Sequence, residues 1–266
     1  MPPIRISKSQ FQGARGNLAS RFSNTPARIG SEANVNRFMA IMFDVDGTMA
    51  ETEEFHRRAF NEAFSHFDLP WNWDVATYGR LLRIAGGKER IRFYWQSLPS
   101  DRFDLSDGHI NELHRFKTRR YAELVDSGAC GLRPGVADLI HRARDGRLLL
   151  AIVTTTSRDN IGVLLGRNLG PDWKRNFDVI VSGDDVPNKK PAPDAYRAAL
   201  DALGRPAASC LAIEDSRNGL VAAVSAGAPV LITRSLYFRD EDFTGAAGVT
   251  DDLTDLPDDF WFDPDL

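Results

Sequence analysis

Two carboxylates that follow a short apolar run are the first residues in this chain that could do chemistry. The run at 41–43 reads as a buried strand, and Asp44 and Asp46 come directly after it in FDVDGT. Burying a carboxylate costs free energy unless the group is paired, hydrogen-bonded or bound to a metal. A turn is a common reason for such a pair, so its meaning depends on what else lies nearby.

Four more apolar runs follow, separated by amphipathic segments that read as helices. They are LLLAIV (148–153), FDVIVS (177–182), CLAIE (210–214) and PVLIT (229–233). Fully apolar strands that alternate with helices indicate a parallel sheet covered on both faces. The sequence therefore predicts an α/β fold with a doubly wound, parallel, five-stranded core sheet. Ligands of such sheets bind beyond the carboxyl ends of the strands.

Residues that could bind a cation or a phosphate follow these strands. Thr154 follows the second strand, Lys190 follows the third, and Asp215 follows the fourth. The carboxyl ends of parallel strands meet at one edge of the sheet, so we expect these side chains to converge with the two aspartates. Lys190 directly precedes PAPD, which opens a helix, and this favours it over Lys189 as the lysine that points inward.

Several residues after the second strand could supply the hydroxyl that binds phosphate. Thr154 directly ends the apolar run, and we expect it to take the phosphate-binding role. Thr155, Thr156 and Ser157 compete with it. Thr154 could instead cap the following helix.

Carboxylates, a lysine and a hydroxyl at one sheet edge are typical of phosphoryl transfer. Three acids from two strand ends could hold one Mg²⁺ through oxygen. The lysine and the hydroxyl could neutralise and orient phosphate oxygens. One aspartate could attack phosphorus and form an aspartyl-phosphate. Little else is needed, because this reaction depends on alignment and charge compensation.

The segments DVDGT, the first threonine of TTTS, KKP and IEDS resemble, in order, the four motifs of the haloacid dehalogenase-like phosphatases. The resemblance covers about residues 39 to 256. It implies that Asp44 is the nucleophile and that Asp46 is first the general acid and then the general base. It also implies that Mg²⁺ is bound by Asp44, the Asp46 backbone carbonyl and Asp215, with Glu214 beside it.

A helical module separates the first strand from the second. Apolar residues recur at helical spacing over 52–67 and in three later segments. We therefore predict an all-helical cap over 55–128, inserted into an α/β core made of 39–54 and 129–266. The resemblance identifies this arrangement with the subfamily that includes β-phosphoglucomutase and phosphoglycolate phosphatase.

Longer stretches are similar to the CbbY proteins, phosphatases of xylulose-1,5-bisphosphate, which inhibits Rubisco of the Calvin cycle. These stretches are FDVDGTMAETEEFHRRAFNEAF, GGKERI, LRPGVADLI, TTTS, KKPAPDAY and EDSRNGL. The similarity places Glu53, Tyr78 and the turn Gly86-Gly87-Lys88 around the sugar bisphosphate. Tyr78 also lies on the apolar helical stripe and could equally be core packing. GGKER lacks the features of a nucleotide-binding P-loop.

Further residues are predicted to contact the substrate. Arg133 of LRPG is a candidate for the distal phosphate, and Thr155 and Ser157 are candidates for substrate contacts. His56 could be merely amphipathic surface. A histidine at the matching place in β-phosphoglucomutase assists proton transfer, so the resemblance also makes His56 a candidate.

Composition limits the partners and the compartment. The 266 residues carry a net charge of -4, which argues against nucleic-acid binding. No apolar run approaches the roughly 20 residues of a membrane span. Cys130 and Cys210 lack metal-ligand spacing and suit a reducing compartment. We expect a monomer that acts on a small phosphorylated sugar in the cytoplasm.

The segment 1–38 is basic, with six arginines or lysines against one acid. It reads as a disordered extension or as the product of an upstream start codon. Its Arg-rich, acid-poor composition is also that of a transit peptide, which would direct the protein to a plastid or a mitochondrion.

Rival functions use the same parts. A phosphosugar mutase would pass the aspartyl-phosphate to a second hydroxyl instead of to water, and a phosphoglycolate-type phosphatase would act on a smaller substrate. A binding or regulatory module that has lost catalysis is the non-enzymatic alternative, and the intact acidic and basic set argues against it.

Overall fold

The computed structural model describes residues 38–99, 105–254 and 256, and the predicted basic extension, apart from its last residue, lies outside them. The core is a parallel sheet with the strand order β3-β2-β1-β4-β5-β6. Its strands are β1 (Ala40–Phe43), β2 (Leu149–Val153), β3 (Val179–Val181), β4 (Cys210–Glu214), β5 (Val230–Thr233) and β6 (Gly248–Thr250).

The predicted doubly wound parallel sheet is confirmed, and the structure adds one edge strand to the five expected. This sixth strand, β6, has only three residues, all half-buried. Such a short segment between Gly and Thr carries no apolar run. It is a strand because it pairs with β5, where Ile232 lies opposite Val249.

Eight α-helices connect and cover the strands in the described part of the chain. They are α1 (Glu53–His66), α2 (Val75–Leu81), α3 (Gly87–Gln96), α4 (Asp107–Leu124), α5 (Val136–Asp145), α6 (Arg158–Leu169), α7 (Asp194–Leu203) and α8 (Arg217–Ser225). A π-helical turn (Val125–Ala129) and two 3₁₀ turns (Trp173–Asn176 and Ala207–Ser209) complete the set. None of these helices combines the length and hydropathy that a bilayer crossing requires.

The two faces of the sheet bury two separate apolar clusters. Side chains alternate along a strand, so Ile41 and Phe43 pack on one face, with α5 and α6. Ala40 and Met42 pack on the other face, with Tyr196 of α7. Because β1 is central and every residue of it is buried, the groups that follow it are held by a rigid element.

A third cluster, rich in aromatic residues, lies among the helices inserted after β1. Phe60, Trp73 and Tyr78 are fully buried in it. Tyr237 and Phe238, from the connection between β5 and β6, pack against this cluster. Residues of the α/β core, Tyr237 and Phe238, therefore pack directly against the helical module. The division of the chain at residues 54 and 128 stays a prediction.

Candidate active site

The register of the central strands brings two acidic strand ends together. Phe43 lies opposite Ile213 in the β1–β4 pair, so the next residues, Asp44 and Glu214, are neighbours. The Asp44 amide continues the ladder by donating to the Ile213 carbonyl at 3.0 Å. The chain then turns at Gly47, whose φ of 80° is a conformation that glycine adopts without strain.

Lys190 joins these two acids. Its Nζ donates to Asp44 Oδ1 at 2.7 Å, to Glu214 Oε1 at 2.6 Å and to the Val153 carbonyl at 2.7 Å. Burial would lower the pKa of Lys190, but the two carboxylates outweigh it and raise that pKa. Burial raises the pKa of Asp44 to about 7, with Lys190 opposing the rise and Glu214 adding to it. The ammonium therefore fixes the expected nucleophile in place.

The same sheet edge holds more carboxyl groups than Lys190 can pair with. Among the described residues, carboxylate oxygens of Asp44, Glu214 and Asp215 lie within 4.8 Å of one another, and all three residues are buried. Asp215 Oδ2 and Glu214 Oε2 have no hydrogen-bond partner among those residues. Burial, and then the charges of Asp44 and Glu214, hold the pKa of Asp215 well above its usual range. Oxygen donors with unused lone pairs fit a hard divalent cation such as Mg²⁺.

Two glycines make room for these acids. An added Cβ at Gly47 would overlap Asp215 Oδ2, and one at Gly219 would overlap the Glu214 carboxylate. Both positions therefore require glycine because the acidic oxygens lie against the backbone.

Asp46 belongs to a different set of contacts. Its Oδ1 accepts from Thr52 Oγ1 at 2.6 Å and lies 3.2 Å from His56 Nε2. His56 Nδ1 in turn lies 2.7 Å from Lys117 Nζ. While Lys117 is protonated it can only donate, so we assign the His56 proton to Nε2, which then donates to Asp46. The result is a chain of hydrogen bonds that runs from Lys117 through His56 to Asp46.

The groups of this chain have shifted pKa values. Burial alone would raise the pKa of Asp46, but His56, Thr52 and Lys117 together lower it to about 2. Burial, and then the charge of Lys117, lower the pKa of His56. Burial lowers the pKa of Lys117 to about 7. Asp46 is thus held as a carboxylate by its neighbours, and Lys117 changes its protonation near neutral pH.

A cavity of about 270 Å³ lies between the sheet edge and the helical module. At the sheet end it is lined by acids and by Lys190; at the other end it is lined by the start of α3. Among the residues that line it are Asp44, Asp46, Glu53, His56, Gly86, Gly87, Lys88, Glu89, Arg90, His114, Lys117, Thr155, Thr156, Ser157, Asn160, Lys189, Lys190 and Asp215.

The structure places most of the predicted substrate residues at this cavity. Glu53, Gly87 and Lys88 line it directly. Tyr78 is fully buried behind Glu53, and its hydroxyl donates to Glu53 Oε2 at 2.7 Å while accepting from Arg90 Nη1 at 3.1 Å. Tyr78 therefore belongs to the apolar stripe and also orients a cavity carboxylate.

The expectation for Arg133 is corrected. Its guanidinium lies away from the cavity and donates to the carbonyls of Gly47, Arg234 and Asp251, and to Thr233. These bonds connect the turn after β1 to the segment after β5. A guanidinium with this many backbone partners holds two loops together and is not free for a phosphate.

The expectation for Thr154 also changes. Thr154 is buried behind the cavity wall, and its Oγ1 accepts from the Thr156 amide at 3.3 Å. Thr155, Thr156 and Ser157 line the cavity instead. Thr154 thus shapes the turn that presents them, which leaves its competitors as the residues at the wall.

Sequence reasoning missed Lys117, His114 and Asn160. Lys117 lies on the buried stripe of α4 together with Ile110 and Tyr121. A lysine at a core position of an amphipathic helix was the signal that could have found it, because such a charge needs a partner. His114 and Asn160 carried no comparable signal.

Comparisons with known proteins identify the family. The family model described as haloacid dehalogenase-like hydrolase matches residues 38–227. The chain belongs to this family. It is 49% identical over 215 residues to Protein CbbY of Rhodobacter capsulatus, which covers 81% of this chain and 93% of the relative. The predicted membership of the haloacid dehalogenase-like hydrolases, with similarity to CbbY, is confirmed, and the chain is an enzyme of the phosphatase type.

Two further relatives bear on the substrate class. One is a mutant CbbY from Rhodobacter sphaeroides, whose crystal structure was determined in complex with xylulose-(1,5)bisphosphate. Its sequence is 44% identical to this chain, and the two structures match with a TM-score of 0.78 over 82% of this chain and 96% of that one. The phosphorylated carbohydrates phosphatase of Thermotoga maritima is 30% identical over 193 residues, covering 71% of this chain and 81% of the relative. One of these proteins is bound to a sugar bisphosphate, and the other is named for its action on phosphorylated carbohydrates.

Proposed function

We propose that this protein is a Mg²⁺-dependent phosphatase of a small sugar bisphosphate, with xylulose-1,5-bisphosphate as the preferred substrate. The observation that carries the proposal is the cavity with two different ends. One end holds Asp44, Asp215 and Lys190, and the other is formed by Gly87 and Lys88. A substrate with a phosphate at each end of a short polyol fits this distribution of charge.

The sheet end is suited to transfer of the near phosphate. Lys190 holds Asp44 Oδ1, so Oδ2 is the oxygen that attacks phosphorus. The new bond joins Asp44 to the phosphoryl group while the bond from phosphorus to the sugar oxygen breaks. Asp44, Asp215 and Glu214, with the Asp46 backbone carbonyl, are the groups that would hold Mg²⁺, which neutralises phosphate charge when bound.

Asp46 serves the proton transfers of both half-reactions. It gives a proton to the leaving sugar oxygen and then takes one from the water that hydrolyses the aspartyl-phosphate. Its pKa of about 2 means that the free enzyme holds it ionised. The chain through His56 to Lys117 supplies the proton, because Lys117 has a pKa of about 7 and can give one up at neutral pH.

The far end recognises the phosphate that is not transferred. The first backbone N–H groups of α3 have no partner within the helix and carry the positive end of its dipole. Gly87 and Lys88 occupy this first turn and line the cavity. Glu53, held by Tyr78, is a hydrogen-bond acceptor for the sugar hydroxyls between the two ends.

A phosphate-release assay with the purified full chain tests the proposal. Substrates are xylulose-1,5-bisphosphate, a hexose bisphosphate and phosphoglycolate, each with Mg²⁺ and with EDTA. We expect kcat/KM for the pentulose bisphosphate to exceed that for phosphoglycolate by about a hundredfold, and EDTA to abolish it. Formation of an isomeric sugar phosphate without free phosphate would instead establish a mutase.

Asp44→Asn is the control for the chemistry. It keeps the shape of the side chain but removes the attacking oxygen, so turnover should fall by a factor of about 10³ or more with the circular dichroism spectrum unchanged. Retained turnover would exclude the aspartyl-phosphate. The compartment stays a prediction: cytoplasm, or a plastid or mitochondrion if the basic segment directs import.

A further inference from the structure

Two consecutive lysines reach the two ends of the cavity. Lys190 bonds Asp44 at the sheet end. Lys189 also lines the cavity, but its Nζ lies 3.4 Å from both carboxylate oxygens of Glu89, in the first turn of α3. One loop of the core therefore places an ammonium at each end.

The Lys189 ammonium lies against the turn that opens α3. A Cβ added to Gly86 would be 2.7 Å from Lys189 Nζ. Gly86 directly precedes Gly87 and Lys88, so the ammonium lies beside the far end of the cavity defined above. A core residue thus completes a site that is otherwise formed by the helical module.

The surroundings of this end are positive. Burial, and then the charges of Lys117, Lys88 and Lys189 in that order, lower the pKa of His114 to about 3. The ring is therefore neutral at physiological pH, and the positive charge of this end comes from the lysines around it.

Glu89 is the counter-ion that Lys189 now holds. The side chains of Lys189 and Glu89 are 28% and 45% exposed, and both distances are long for a charge-assisted hydrogen bond. Solvent screens such a pair, so it contributes little to stability and an incoming dianion can displace it.

We propose that Lys189 binds the phosphate that is not transferred, and that its ammonium is paired with the Glu89 carboxylate until that phosphate binds. The inference rests on the proposed function and adds a specificity-determining residue to it. Lys88 approaches the phosphate from the helical module and Lys189 from the core, so the substrate connects the two across the cavity.

The test compares Lys189→Met and Glu89→Gln with the wild type on two substrates. Xylulose-1,5-bisphosphate has both phosphates, whereas p-nitrophenyl phosphate has only the one that is transferred. The measured quantity is the ratio of the two kcat/KM values. Lys174→Met and Glu112→Gln are matched controls, because both residues are exposed and lie outside the cavity-lining set.

Lys189→Met should lower the ratio about tenfold, the size of one lost charge-assisted contact. Glu89→Gln should keep or raise the ratio, because it removes the competing carboxylate. The inference is overturned if Lys189→Met stays within twofold of the wild type. It is also overturned if Glu89→Gln lowers the ratio as much as Lys189→Met does, since the preference for the bisphosphate would then depend on the ion pair and not on a free ammonium. A wild type without preference for the bisphosphate would instead overturn the proposed function.

Discussion

Lys117 Nζ lies 2.7 Å from His56 Nδ1, and both residues are buried. Lys117 lies on α4 and His56 on α1, and His56 bonds the aspartate that follows β1. The lysine also lies 4.8 Å from the ring centre of Phe60 and 5.2 Å from that of Tyr121. These contacts offset only part of the cost of burying an ammonium, since its pKa falls to about 7.

Replacing this lysine should make the protein more stable and less active. Lys117→Met keeps most of the side-chain volume and removes the buried charge. Because the pKa of Lys117 falls from 10.5 to about 7 on folding, we expect the free energy of unfolding at pH 7 to rise by about 2 to 4 kcal/mol. Phosphate release should fall about a hundredfold, because the proton chain to Asp46 ends. Urea unfolding and the phosphate assay measure the two effects.

The same pKa shift predicts a pH dependence of stability. Between pH 7 and 10.5 the unfolded chain keeps a proton on Lys117 that the folded protein has lost. Stability therefore gains from this residue as pH rises, and the penalty is complete below about pH 7. The difference in unfolding free energy between Lys117→Met and the wild type should shrink steadily from pH 7 to pH 10. A difference that does not change with pH would contradict the assigned pKa.

Arg133 should behave as a structural residue. Arg133→Met leaves the carbonyls of Gly47 and Arg234 without their donor, and we expect a loss of about 3 kcal/mol in stability. The preference for bisphosphate over monophosphate should not change, because the guanidinium lies away from the cavity. Lys88→Ala should do the opposite: it should reduce the preference for the bisphosphate and change the free energy of unfolding little. Loss of preference in Arg133→Met would restore the original expectation.

Tyr78 should act on substrate binding through Glu53. Tyr78→Phe removes the hydroxyl that donates to Glu53 Oε2 and accepts from Arg90. The buried Glu53 and Arg90 side chains then each lack a hydrogen-bond partner, which should cost about 1 to 3 kcal/mol of stability. KM for the bisphosphate should rise more than kcat falls, because Glu53 orients the sugar and takes no part in the phosphoryl transfer. Steady-state kinetics separate the two parameters.

The strands could be predicted because they are short apolar runs ended by polar residues. The predicted strand at 210–214 coincides with β4, and the other four differ by one or two residues at an end. The three residues of β6 could not be found, because only pairing with β5 makes them a strand. A parallel sheet brings the carboxyl ends of its strands to one edge, so the topology alone was enough to predict that the residues after the strands lie near one another.

The contacts inside the helical module could not be read from the sequence. Lys117 and His56 are 61 positions apart, and only the packing of α4 on α1 brings them together. Spacing likewise did not reveal whether Arg133 faces the cavity or the backbone. Its direction depends on where the loops after β1 and β5 pass, and nearby residues do not encode those paths.

Gly47 should be required for metal binding. Alanine there would force a side chain into the left-handed region, at φ 80°, and its Cβ would overlap Asp215 Oδ2. The carboxylate must move, so Mg²⁺ affinity should fall by about tenfold or more, as judged by the rise in Tm that Mg²⁺ produces. Gly162→Ala is the matched control, because its Cβ would meet open space. Equal Mg²⁺-induced shifts in the two variants would mean that Asp215 does not bind the ion, since only Gly47→Ala displaces it.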